Sequence, residues 1–247
     1  MSNISIESFA DPGISWKAMN DPVMGGKSHS KVTIENGVGV FDGEVVDVPF
    51  LHAPGFITMR GTGGDFPDVS SCDSLQLRAR ASEPYSGYRI SFGDKRVPGN
   101  RFARGYKADF DAPVGSEMGT VVIPFHEFTV RWDDATGDPV VTCHEDKNFC
   151  PDTKTLQNMK TMSLWGEGVA GRVHLEIESI EATGCSPQPV LRIANTAKVD
   201  SKESTLTMPL LVLAVAAVAF VVALIHGNRS RKDYEDLNEN NRDSSIV

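Results

Sequence analysis

The sequence predicts an all-β protein, an antiparallel β-sandwich, followed by one C-terminal transmembrane helix. Three observations carry this reading. Apolar and polar side chains alternate with a period of two in several short runs. Gly- and Pro-rich connectors separate those runs. A long uncharged apolar stretch stands near the C-terminus.

Taken in order, residues 20–30 read NDPVMGGKSHS and end in Gly26-Lys27-Ser28, as a phosphate-binding loop does. Five positions before Gly26, where that loop needs glycine, stands Asp21, and Pro22 beside it has no amide to donate. The residues after Ser28 do not read as a helix either. Val32 and Ile34 alternate, Asn36-Gly37 gives a favoured two-residue turn, and Val38 and Val40 resume, which is a hairpin. The phosphate-loop reading therefore fails.

Leu75, Leu77, Ala79 and Ala81 alternate with Gln76, Arg78 and Arg80, giving one apolar and one wet face. Residues 88–92, 120–125 and 173–182 behave likewise, with Val173, Leu175 and Ile177 inward and His174, Glu176 and Glu178 outward. Only 152–162 has room for a short helix. Short links imply antiparallel pairing. The sandwich is assigned to 1–184, a polar linker to 185–205, the membrane helix to 206–226 and a disordered polar tail to 227–247.

The run from Leu206 to Ile225 holds 20 residues without a charge, about 30 Å as a helix and thus the thickness of the hydrocarbon layer. Pro209 stands in its first turn and Gly227 just past its end. Arg229, Arg231 and Lys232 beyond it favour a cytosolic tail and a domain outside the cytosol. The N-terminus MSNISIESFADPG has no basic start and no apolar core of a signal peptide. Tail insertion with a cytosolic domain stays open. So does the organelle.

The formal charge of −9, with 24 basic and 33 acidic residues, disfavours a nucleic-acid partner, which needs a clustered positive face, and none is expected. Four basic and five acidic residues lie beyond position 226, so the acidity belongs to the globular part. Cys72, Cys143, Cys150 and Cys185 form either two disulfides or four thiols, and Cys143 and Cys150 are near enough to staple one loop. A zinc site from Cys143, His144 and Cys150 is the poorer reading, so no metal is expected. No cofactor is expected.

The chain lacks a nucleophile elbow, a metalloprotease motif and a dinucleotide glycine motif, and its histidines are scattered. Asp133-Asp134 and Glu145-Asp146 are adjacent loop carboxylates, which do not face one another across a cleft. No catalytic residue is assigned, and the protein reads as not an enzyme. In the tail, Tyr234-x-x-Leu237 resembles a sorting signal and Ser245-Ile246-Val247 a PDZ ligand, though a solvated tail fits as well.

One series of residues goes further. Trp16 precedes Asn20-Asp21-Pro22-Val23-Met24-Gly25-Gly26 and Ser28. Gly39-Val40-Phe41-Asp42-Gly43 and Gly55-Phe56-Ile57-Thr58-Met59-Arg60 come next, and Ile123-Pro124-Phe125 and Ile177-Glu178-Ser179-Ile180 come later. Over roughly 14–182 this resembles the complex I intermediate-associated protein 30 domain. The resemblance implies a galactose-binding-like sandwich of jelly-roll type and a role in assembly or chaperoning. Pro22 stands where the family often has Gly, and a long polar loop lies between Phe128 and Leu156. A terminal membrane span is not part of the founding member.

The candidate partner or ligand surface comprises Trp16, Asn20, Asp21, Met24, Gly25, Gly26, Arg60, Trp132 and Trp165. Asn20 and Asp21 can fix a turn, Gly25-Gly26 give it backbone freedom, and Trp16 and Met24 can pack over it. The expected function is a membrane-anchored module that binds a protein partner. The alternative is a glycan-binding module, for which Trp132 and Trp165 are the candidate aromatics.

Overall fold

The computed structural model describes residues 2–20, 26–50, 52–94, 105–133 and 136–187. Its strands are β1 (Ser2–Ser8), β2 (Ser15–Asn20), β3 (His29–Glu35), β4 (Val38–Val45), β5 (Asp47–Val48), β6 (Ala53–Pro54) and β7 (Phe56–Thr62). After them come β8 (Ser74–Ala81), β9 (Tyr88–Gly93), β10 (Tyr106–Asp109), β11 (Gly119–Pro124), β12 (Thr161–Glu167) and β13 (Gly171–Cys185). One short helix, α1 (Thr153–Gln157), falls inside the expected segment and is capped by Asp152, whose side chain accepts from Thr155 N–H.

The strands form two main antiparallel sheets. A six-stranded sheet runs β11-β8-β13-β4-β3 with β1 also on β13, and a five-stranded sheet runs β10-β9-β12-β7-β2. Their facing sides close one core. Phe41, Leu75, Leu77, Leu175 and Ile177 come from the first sheet, and Ile57, Met59, Ile90, Phe92, Met162 and Leu164 from the second. The alternation that predicted β8 is reproduced, with Leu75, Leu77, Ala79 and Ala81 all buried.

Local chemistry explains the turns and close approaches. Asn36 and Gly37 adopt φ of 53° and 80°, the mirror-image turn whose twist matches the flanking strands. Added Cβ atoms on Gly39 and Gly43 would collide with the Phe9 ring and the His29 carbonyl oxygen. The two glycines of the Gly-x-Phe-x-Gly segment thus let neighbours approach while Phe41 enters the core.

In β13 the simple alternation does not run to the end. A register shift between Ile177 and Ser179 inserts one residue, so Ile180 and Ala182 point inward rather than 179 and 181. The same irregularity changes the neighbour of β13, from β4 over 171–177 to β1 over 179–185.

Both disulfides are formed, Cys72–Cys185 and Cys143–Cys150. The first ties the approach to β8 to the end of β13, so Cys185 belongs to the sandwich rather than to the linker. The second uses both sulfurs of the Cys-His-Cys zinc reading, which is thereby overturned.

On the outer face of the six-stranded sheet, Asp42 lies 2.9 Å from His174 Nδ1, 3.3 Å from Arg172 and 3.8 Å from Lys31. The His174 hydrogen bond, against some desolvation, holds the Asp42 carboxyl below its usual range. Glu176 is also held low: burial pushes it up, but hydrogen bonds from Arg80 and His174 outweigh this. A carboxylate with a lowered folded-state pKa contributes stability above its unfolded pKa and loses it as pH falls. Asp42→Asn should therefore cost about 1–2 kcal/mol at pH 7, and the difference should shrink toward pH 3. Urea unfolding at the two pH values checks this.

The expected span 206–226, the tail and the linker beyond residue 187 lie outside the described residues, as do Asp21, Met24 and Gly25. Among the described residues no helix is long and apolar enough to cross a membrane.

Candidate functional site

The outward side of the five-stranded sheet is built by strand register. Pairing across β2, β7, β12, β9 and β10 aligns Lys17, Arg60, Ser163, Ser91 and Lys107 in one row. The adjacent row on the same face is Met19, Thr58, Trp165, Arg89 and Asp109. An acidic chain thus gathers four cations on one sheet face.

This face was expected to be wet at β9, and it is not. Arg89 and Ser91 are 4% and 1% exposed, and β12 is buried along its whole length. The polar segment after Phe128 lies against it. Lys107 and Thr129 exchange backbone hydrogen bonds at 2.9 and 3.0 Å, and Asp138 pairs with Arg89 at 2.9 Å. A strand read alone cannot reveal which loop will cover it.

Beneath that loop sits a buried ionic cluster. Lys107 Nζ donates to Glu167 Oε1 at 2.6 Å, with side chains only 5% and 9% exposed. The same ammonium lies 4.8 Å from the Trp132 ring centre and 4.5 Å from that of Trp165, within cation–π range. Arg89 donates to the Glu167 carbonyl at 2.6 Å and pairs with Asp109 at 2.8 Å. Trp165 Nε1 donates to Ser91 Oγ at 2.8 Å. Ser163 Oγ is buried and, among the described residues, has no hydrogen-bond partner.

The expected surface residues therefore separate. Trp165 is 4% exposed and is a wall of the cluster, not an open platform. Trp132 is half-buried on the loop over Lys107. Arg60 is half-buried between Lys17 and Ser163. Asn20, at the end of β2, is half-buried and accepts from Ser30 Oγ at 2.6 Å. Gly26 is half-buried just before β3.

Trp16 points the opposite way. It is 8% exposed, packs on Phe9 at 5.6 Å between ring centres, and donates from Nε1 to Glu7 Oε2 at 2.9 Å. It belongs to the core because Trp16 and Lys17 must face opposite sides of β2. Glu7 is a residue that sequence reasoning missed. Its buried carboxylate also accepts from the amides of Ser8, Gly13 and Ile14 at 2.9–3.0 Å, fixing the loop into β2.

Lys107, Arg89 and Glu167 were missed too. The only signal was charge recurring within otherwise strand-like runs, which usually marks a solvent face. Elsewhere, His126, Glu127 and His144 place their ligating atoms within 4.8 Å of one another, and all three are exposed. The scattered histidines of the sequence thus include one pair that folding brings together.

Among solved structures, the sandwich is similar to the family 11 carbohydrate-binding module of the cellulosomal cellulase Lic26A-Cel5E of Clostridium thermocellum. The TM-score is 0.51 at 14% identity, over 76% of this chain and 98% of that one. A family 11 module from the same organism, in complex with a β-1,3-1,4-mixed-linked tetrasaccharide, gives 0.50 at 15% identity, over 74% and 96%. At such identities the likeness shows the fold alone. Among curated proteins no match is found. A family model described as complex I intermediate-associated protein 30 covers residues 7–142, more than half of the chain. It spans the Glu7–Trp16 anchor, the glycine-bearing β4, and Arg89, Lys107 and Trp132 of the buried cluster, while Trp165 and Glu167 lie beyond it, and on that match the chain belongs to the complex I intermediate-associated protein 30 family.

Proposed function

We propose that this chain is a non-catalytic, membrane-anchored module that binds a protein partner in an assembly or chaperone role. The observation that carries it is the accessible margin of the five-stranded sheet. There β2, which leads into the Asn20–Ser28 motif, sets exposed Lys17 and half-buried Met19 on the same face as half-buried Arg60. A fixed basic strip with an apolar neighbour, on a chain of net charge −9, suits an acidic protein surface. Family membership supports an assembly role, and complex I is the partner class its name suggests.

The apolar run 206–225 supplies the anchor. Two disulfides favour an oxidising compartment, which supports a domain outside the cytosol with a cytosolic tail open to a sorting adaptor or a PDZ domain. Protease protection with a tag at each end should leave the N-terminal tag shielded. Its digestion would favour tail anchoring instead.

Native electrophoresis of detergent-solubilised membranes tests the main proposal. The wild-type chain should migrate in a larger assembly, and Lys17→Glu should release it while its melting temperature is retained. Migration of both as free chain sinks the protein-binding reading. A second reading, glycan binding, is favoured by the similar module that holds a mixed-linked tetrasaccharide and by the half-buried Trp132 ring beside Lys107. It requires hits on a glycan array that are lost in Trp132→Ala.

A further inference from the structure

Two anchored segments meet at the surface. The first is a single 3-10 turn, Phe125–Glu127. Phe125 and Phe128 are buried on either side of it, and Phe125 N–H donates to the Asp73 carbonyl at 2.9 Å. With those rings fixed in the core, the two residues between them, His126 and Glu127, are driven outward. The second is the turn at His144, whose neighbour Cys143 is 1% exposed and bonded to Cys150. Thr142 donates from its amide and hydroxyl to Glu145 Oε2 at 2.8 and 2.9 Å, which closes the same turn.

The donor atoms that these segments present are spaced like ligands. Glu127 Oε1 lies 3.4 Å from His126 Nε2 and 3.2 Å from His144 Nε2. The two imidazoles stand edge to face, 4.8 Å between ring centres. A tetrahedral ion with bonds of about 2.0–2.1 Å holds neighbouring donors roughly 3.3 Å apart. Two of the three donor–donor edges already have that length. The third, between the histidines, is no longer than 4.8 Å and closes by ring rotation.

We propose that His126, Glu127 and His144 form a binding site for a divalent transition-metal ion of the Zn²⁺ type. Two imidazoles and one carboxylate suit zinc and its neighbours rather than Ca²⁺ or Mg²⁺, which require more oxygen ligands. The side chains are about half exposed, at 52%, 51% and 56%, so one position stays open to water or to a group from a partner. The ion would staple the 3-10 turn to the disulfide loop. Its ligands come from segments 17 residues apart, so no local metal motif announces it.

The test uses the oxidised, metal-stripped full chain in detergent micelles, titrated with Co²⁺ followed by visible absorption and then displaced by Zn²⁺. One Co²⁺ per chain should bind with the spectrum of a four-coordinate nitrogen–oxygen site. His126→Ala and His144→Ala should each weaken binding on the order of 100-fold, and Glu127→Gln about 10-fold. The metal-free melting temperature should be unchanged, and His52→Ala should bind as the wild type does. Absence of saturable binding, or binding that survives in the His126→Ala/His144→Ala double variant, overturns the assignment.

Discussion

Lys107→Ala is expected to lower the unfolding free energy by about 3–5 kcal/mol. Removing the ammonium leaves the Glu167 carboxylate buried at 9% exposure, with Arg89 Nε 3.9 Å away as the remaining cation near its Oε1. An uncompensated buried charge costs far more than a lost surface pair. The substitution also opens space between Trp132 and Trp165, which flank the ammonium at under 5 Å. The double variant Lys107→Met/Glu167→Leu should recover much of the loss, because it removes both charges and keeps apolar volume. Guanidinium unfolding followed by tryptophan fluorescence measures both, since two of the three tryptophans line this cluster. A single variant within 1 kcal/mol of the wild type would show that water reaches Glu167 freely.

Loss of Cys72–Cys185 should cost about as much. This bond closes a separation of 113 residues, and in the chain-entropy account such a loop is worth about 5 kcal/mol. Cys143–Cys150 closes only 7 residues and is worth about 2 kcal/mol in the same account. Cys72→Ala/Cys185→Ala should therefore unfold at much lower denaturant than Cys143→Ala/Cys150→Ala. Reduction should proceed in the opposite order. Cys150 is partly accessible, whereas Cys72 and Cys185 are 7% and 3% exposed. Timed alkylation with mass spectrometry separates the two bonds, and simultaneous opening would refute the order.

The fold class was legible because strand periodicity is local. Leu75 to Ala81, Val173 to Ile177 and the Asn36-Gly37 turn each identify a strand or hairpin without reference to any distant residue. The family resemblance was legible for a related reason. Gly39 and Gly43 are needed where Phe9 and the β3 backbone come close, and that need is written at fixed positions. The register shift beyond Ile177 was half visible, since Ile180 and Ala182 break the parity of 173, 175 and 177.

The candidate site was much less legible. The sequence offers Trp16, Trp132 and Trp165 as surface aromatics, yet Trp16 faces the core, Trp132 is half-buried on a loop beside the Lys107 ammonium, and Trp165 is buried against the same ammonium. Side-chain type cannot distinguish these outcomes, because they depend on which loop crosses which sheet face.

The sequence by itself thus determined what is local: antiparallel strands, their turns, an acidic body, and an apolar run of membrane-spanning length. Only the tertiary structure decided what meets across long separations. Folding paired Lys107 with Glu167, Trp16 with Glu7, Cys72 with Cys185, and His126 with His144. The physical reason is that periodicity constrains which face a residue occupies, whereas contact is set by the order in which strands pack and by the loops that cover them.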